Sequence, residues 1–184
     1  MNTDHSEPVR LVVVEVLGNI GTEAALRVLA LRSLDDPSPE VRVTCVEYLA
    51  RASRPSTIKL FLEKLRDKDN AVINRAAFGL RHLGDPSVIG PLIDALVTRH
   101  KILVAQGNPS GSTSATFSPQ GGGFAVGGGG PIYFDQPYEN QEVLDALIGL
   151  TGVNFNFNVS AWKQWHAAQP VSYTHLTLPT NREV

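Results

Sequence analysis

The sequence predicts an all-α chain: an α-solenoid of stacked helical hairpins, interrupted late by a Gly-rich insertion. Three observations carry this expectation. Asp, Val and Leu recur in one register through the first half of the chain. Apolar stretches with helical spacing alternate with those segments, and the periodicity then stops at a stretch with no charge at all. A regular spacing of this kind is the mark of a fold built from one repeated unit.

Three segments align: Asp4 to Gly21, Asp36 to Ser53 and Asp67 to Gly84. In each, an Asp stands five residues before a Val (Asp4/Val9, Asp36/Val41, Asp67/Val72), and a Leu follows eight residues after it, at Leu17, Leu49 and Leu80. The Val-to-Val steps are 32 and 31 residues. Second apolar helices are expected from Thr22 to Leu34, Ser56 to Leu65 and Ser87 to Val97. In the last, Val88, Ile89, Leu92, Ile93 and Leu96 share one helical face. Pro8 and Pro39 suit a first helical turn, where no N–H is needed. Gly21 and Gly84 fall where a chain leaving a helix turns back. Each unit is then a hairpin whose apolar face needs a neighbour to cover it.

This register resembles HEAT repeats of the short bacterial, phycobilisome-lyase type, over about residues 4 to 97. The resemblance implies a ladder between adjacent repeats, made by the loop Asp and the Arg that follows the Val. Asp4, Arg10, Asp36 and Arg42 match those positions, and Asp67 keeps the acid. Ile73 stands where the third Arg would be, so the ladder is expected to end or change there. A packing role is the reading for all five, because a carboxylate is favoured near helix N-termini and an Arg can tie neighbouring loops.

From Ile102 to Phe134 there is no charged residue, and Gly107 to Gly130 holds nine of the 16 glycines. Ordering so much glycine costs more backbone entropy than burial returns, so a flexible loop is expected. Its flanks, Lys101 to Ala105 and Ile132 to Phe134, are β-branched or aromatic, which predicts a two-stranded β-ribbon. A phosphate-binding loop is excluded: no Gly-Lys-Ser/Thr follows, and Pro131 leads into a strand-like run rather than a helix.

Asn140 to Gly152 returns to helix as the first half of a fourth hairpin. Ser160 is expected to cap a short helix carrying Trp162 and Trp165 on one face. The stretch from Leu150 to Gln169 resembles a motif that follows the repeats in bacterial HEAT proteins. Phe155, Phe157, Trp162 and Trp165 would close the last apolar face; an aromatic ligand cage is the alternative.

Both ends carry expectations of their own. Val171 to Val184 resembles the translation of a sequencing-library adapter and is expected not to belong to the natural protein. The first helix, Val9 to Ile20, is apolar nearly all round, whereas terminal repeats ordinarily show a polar outer face. An upstream repeat is therefore expected, the chain being a C-terminal fragment; the alternative is that this surface meets a partner. The organisation predicted is repeats over 1–100 (about 4–34, 36–65 and 67–97), an insertion over 101–138, a helical cap over 139–170 and a non-native tail over 171–184.

Chemistry leaves few marks. The single cysteine excludes an intrachain disulfide and any Cys-rich zinc site. His5, His82, His100 and His166 have no metal-like spacing, no nucleophile elbow is present, and no cofactor is expected. The formal charge of −2 without a like-charge block argues against a dedicated nucleic-acid or membrane binder. Residues 1–101 sum to +1 and residues 131–170 to −3. Arg27, Lys59, Lys64 and Arg99 are expected on the concave, second-helix side as a face for an acidic partner, diluted by Glu63 and Asp94.

The function expected is a non-catalytic protein-interaction scaffold, with the ribbon offering an edge for strand addition. The resemblance implies two alternatives: a module associated with tetrapyrrole lyases or chaperones, or the tail of a larger exported protein. The polar start MNTDHSEPVR does not look like a secretory signal, so the chain as it stands reads as cytoplasmic.

Overall fold

The computed structural model describes residues 6–105, 113–116, 123–126 and 132–169. Asp4, the 171–184 segment and much of the Gly-rich stretch lie outside the described residues. Among the described residues eight helices dominate: α1 (Glu7–Ile20), α2 (Glu23–Asp35), α3 (Pro39–Ala52), α4 (Pro55–Lys64), α5 (Asn70–Leu83), α6 (Ile89–Ala95), α7 (Gln141–Thr151) and α8 (Val159–Ala168).

Short polar residues set the boundaries. Thr22, Ser38 and Asp69 each accept a backbone N–H from the first turn of the following helix, filling part of its unmet donor set. Pro8, Pro39 and Pro55 occupy first turns. Gly21 and Gly84 end α1 and α5 at φ of 61° and 71°, a left-handed conformation that a Cβ disfavours. Ser53 takes the same role after α3 at φ 43°.

The helices stack in two layers. First helices form one layer, in which α1 packs against α3, α3 against α5 and α5 against α7. Second helices form the other, with α2 against α4 and α6 against α8. Each second helix also packs on the first helix of the next hairpin, as α2 on α3, α4 on α5 and α6 on α7. The core follows this zigzag through Leu29, Val41, Leu49, Phe61, Leu80, Leu92, Leu147 and Trp162, all buried. Hairpins α1/α2 to α7/α8 thus form an α-solenoid, with α7/α8 stacked as a fourth unit.

Repeat register and burial diverge at the aligned valines. Val41 is wholly buried, but Val9 is 45% exposed, and in α5 it is Ile73 that turns inward, at 1%. The outer face of α1 is bare: Val12, Val13, Val16 and Ile20 are exposed and only Val14 is buried.

Between the third and fourth hairpins runs an antiparallel ribbon of β1 (Val97–Ala105) and β4 (Ile132–Glu139), in register from Val97↔Glu139 to Leu103↔Tyr133. Within the Gly-rich stretch, β2 (Thr113–Thr116) pairs antiparallel with β3 (Gly123–Val126). The ribbon therefore begins four residues before the expected Lys101 and extends past Phe134 to Glu139. The third second-helix correspondingly stops at Ala95 rather than Val97, after a 3-10 turn at Pro86–Val88. Exposure of the ribbon tolerates the charged residues that made these strands hard to see: residues 134–139 are all exposed, and so are Arg99 and Lys101.

Asn140 anchors the ribbon to the solenoid. Fully buried at the start of α7, its N–H donates to the Leu96 carbonyl (3.0 Å) and its amide donates to the Ala95 carbonyl (2.9 Å). Its Oδ1 accepts from Asn74 (3.0 Å), while Thr98 donates to Asn70 Oδ1 (2.7 Å). With that oxygen taken, the Asn70 amide donates to His100 Nε2 at 2.8 Å, so Nε2 carries no proton.

Candidate functional site: a groove on the second-helix layer

Helix α4 is amphipathic, with Phe61 buried and Lys59 and Glu63 exposed on the opposite stripe, and just past its end Leu65 is buried and Arg66 exposed. That stripe forms one wall of a groove of about 1070 Å³, and Lys68 extends the wall beyond the helix. The opposite wall is β1, from which Arg99 and Lys101 project two residues apart, on one face of the strand. Leu62, Ile93, Ala95 and Val97 make an apolar floor. Helix α8, held against α6, brings Lys163 and His166 to one end. A smaller hollow of about 250 Å³ lies along the same layer, with Arg27 on α2 and Lys59 on α4.

Charge in the groove is lopsided. Of its three carboxylates, Asp94 pairs with Lys163 at 2.8 Å and Asp67 pairs with Lys64 at 3.0 Å. Among the described residues the side chains of Lys59, Arg66, Lys68, Arg99 and Lys101 make no hydrogen bond or ion pair, which leaves Glu63 as the one unpaired lining acid. Asp135 stands opposite Lys101 across the ribbon without forming an ion pair.

The four expected face residues separate accordingly. Arg27, Lys59 and Arg99 do line the hollows of this layer, but Arg99 does so from strand β1, not from a second helix. Lys64 does not line them. It closes the end of α4 by its bond to Asp67, whose carboxyl is held below its ordinary pKa by that bond and by the Asp69 N–H. Arg66, Lys68, Lys101 and Lys163 were not anticipated. Spacing offered a signal for Lys101 alone, which stands two residues from Arg99 on a strand. Lys163 arrives only through the packing of α8 on α6.

Of the ladder residues, Asp67 lines the groove, and Arg10, Asp36 and Arg42 do not. Asp36, completely buried, accepts a bidentate pair from Arg10 of the preceding repeat (Nε at 3.0 Å, Nη2 at 3.2 Å) and a third bond from the Ser38 N–H at 2.9 Å. Arg42 turns to the carbonyls of Asp36 (2.6 Å) and Pro37 (3.1 Å) rather than to Asp67. Arg75, one residue that the register did not single out, donates to the Leu34 carbonyl at 2.6 Å. Two guanidiniums thus meet the C-terminal end of α2, where the helix dipole favours positive charge. Burial first, and Arg75 beside it second, hold the Arg42 pKa below its ordinary value.

At the far end, Trp162 is wholly buried and its indole N–H donates to the Asn156 carbonyl at 2.8 Å. Phe155 meets it edge-on at 5.1 Å and Trp165 at 6.1 Å. Phe157 is half-buried against the same core. The cap of α8 is Asn158, whose Oδ1 accepts from Ala161 N (3.0 Å); Ser160 lies inside the helix, two residues too late to serve. Cys45 is buried and burial pushes its thiol up to about 12. Among the described residues no group of three or more His, Cys, Asp or Glu is placed to hold a metal ion, and no helix is long and apolar enough to cross a membrane.

These features define a class: a solenoid of stacked helical hairpins with a ligand-sized groove on its second-helix layer. Residues 29–107 match the HEAT repeats family. Such repeats generally act as protein-interaction scaffolds. No curated protein matches the sequence.

Proposed function

We propose that this chain is a non-catalytic scaffold that binds another protein along its second-helix layer. The observation that carries the reading is the groove of about 1070 Å³ between α4, α6, β1 and α8, in which exposed cations surround an apolar floor. An interface needs both parts, an apolar centre that gains from losing water and a polar rim that selects the partner. Arg27, Lys59 and Arg99 are the partner-facing residues in this reading, while Arg10, Asp36 and Arg42 serve the join between repeats. The rigid stacked layers hold the face in shape before binding, which lowers the ordering cost of association.

Selection of a displayed peptide library on the purified chain tests this. Sequences should be enriched on the native protein and lost when Arg27 and Lys59 are both replaced by Ala. If enrichment survives that double replacement, or the chain alone turns over a substrate, the reading fails.

A further inference from the structure

Resting on that scaffold reading, we infer that the groove takes an extended acidic segment of the partner, with carboxylates at alternate positions and small apolar side chains between them. The first reason is charge. Five cations of the lining have no partner among the described residues, against one unpaired carboxylate, Glu63. Like charges gathered on the groove walls repel one another, so an acidic occupant is favoured there over a neutral one.

The second reason is spacing. Arg99 and Lys101 share one face of β1 at two residues' separation, about 6.6 Å at the rise of a strand. An extended peptide repeats its side chains at the same interval, so alternate carboxylates meet both cations. On the other wall Lys59 lies on α4 and Arg66 just beyond its end, so cations flank the segment from both sides.

The third reason is the floor. Leu62 and Val97 are half-buried and Pro91 is exposed within the groove, so apolar side chains alternating with the acids find contacts there. The lining contains no Phe, Tyr or Trp on which a nucleobase could stack, which disfavours a single-stranded nucleic acid as the anionic occupant.

The test is fluorescence anisotropy on the full chain with a short labelled peptide bearing Glu at alternate positions and Leu or Ser between. Its partners in the experiment are the same peptide with Gln for Glu, and a short oligothymidylate. The Glu peptide should bind at low salt, weaken as ionic strength rises through about 0.15 M, and exceed the Gln peptide by about tenfold or more. Lys59→Glu combined with Arg99→Glu should weaken it by at least a similar factor. Arg51→Glu on α3, outside the groove, should leave it unchanged, and thermal melts of the variants establish that all remain folded. Equal binding of the Glu and Gln peptides, no binding of either, or tighter binding of the oligothymidylate overturns the inference. If the library selection still yields groove-dependent neutral peptides, the scaffold reading stands while this one falls.

Discussion

Asp36 illustrates how much one side chain decides. A carboxylate with no exposure is tolerable because three donors meet it, two from Arg10 and one from the Ser38 backbone. Asp36→Ala should therefore cost about 3 kcal/mol in urea unfolding, since it removes the buried acceptor shared by the Arg10 guanidinium and the Ser38 N–H. Asp36→Asn should cost less, because an amide oxygen still accepts from Ser38. Gly79 makes a second case: a Cβ there would lie 2.6 Å from the ring of the buried Phe61. Gly79→Ala is expected to destabilise by about 1–3 kcal/mol from overpacking, more than the roughly 1 kcal/mol that alanine gains in a helix. Cys45 should resist thiol reagents in the native state at neutral pH and react only after unfolding. Its folded pKa is raised from 9.0 to about 12, so the unfolded chain ionises first. The stability it contributes is whole below pH 9 and is lost as pH climbs toward 12, which alkaline denaturation followed by circular dichroism would read.

At the scale of elements, the β-ribbon depends on a polar junction rather than on its own ladder. A two-stranded ribbon is marginal alone. Here β1 leaves α6 and β4 enters α7 through Asn140, which bonds Leu96, Ala95 and Asn74, while Thr98 and His100 bond Asn70. Asn140→Ala should cost about 2–3 kcal/mol by leaving the buried Ala95 carbonyl without its donor. Hydrogen exchange should accelerate at Thr98 to Lys101 and Asp135 to Glu139 while α1 to α3 stay protected. Equal acceleration in α1 to α3 would mean that the junction supports the whole fold instead. The helices themselves were legible in the sequence because their cues are local: a capping residue, an early proline, a closing glycine and a period of about 3.6. The strands were only half legible. Val97 to Lys101 carries Arg, His and Lys, and nothing within five residues distinguishes an exposed ribbon edge from a loop.

At the scale of the molecule, a solenoid's stability is close to a sum of neighbour interfaces, so damage stays near its site. Trp162→Ala should remove about 3–5 kcal/mol from the α7/α8 unit, since the indole is wholly buried and its N–H is bonded. Exchange protection should fall in α7 and α8 well before α1 to α3. A uniform fall through every helix would show that the stack unfolds as one body.

The fold class and the succession of hairpins were written in the chain, because each hairpin's pattern is set by residues near one another. So was the aromatic closing cluster, since four large rings in one short polar segment have few other uses in a stacked fold. Partner choice within the ladder was not. Arg10 reaches Asp36, yet Arg42 reaches carbonyls, and Arg75, which the register did not single out, reaches the Leu34 carbonyl. Which acceptor a long guanidinium finds depends on how far adjacent hairpins slide and twist, and that is set by packing across the core. The groove is the same kind of property. Its walls come from α4, a strand beyond α6 and a helix of the fourth hairpin, and only tertiary structure brings Lys59, Arg99, Lys101 and Lys163 round one hollow.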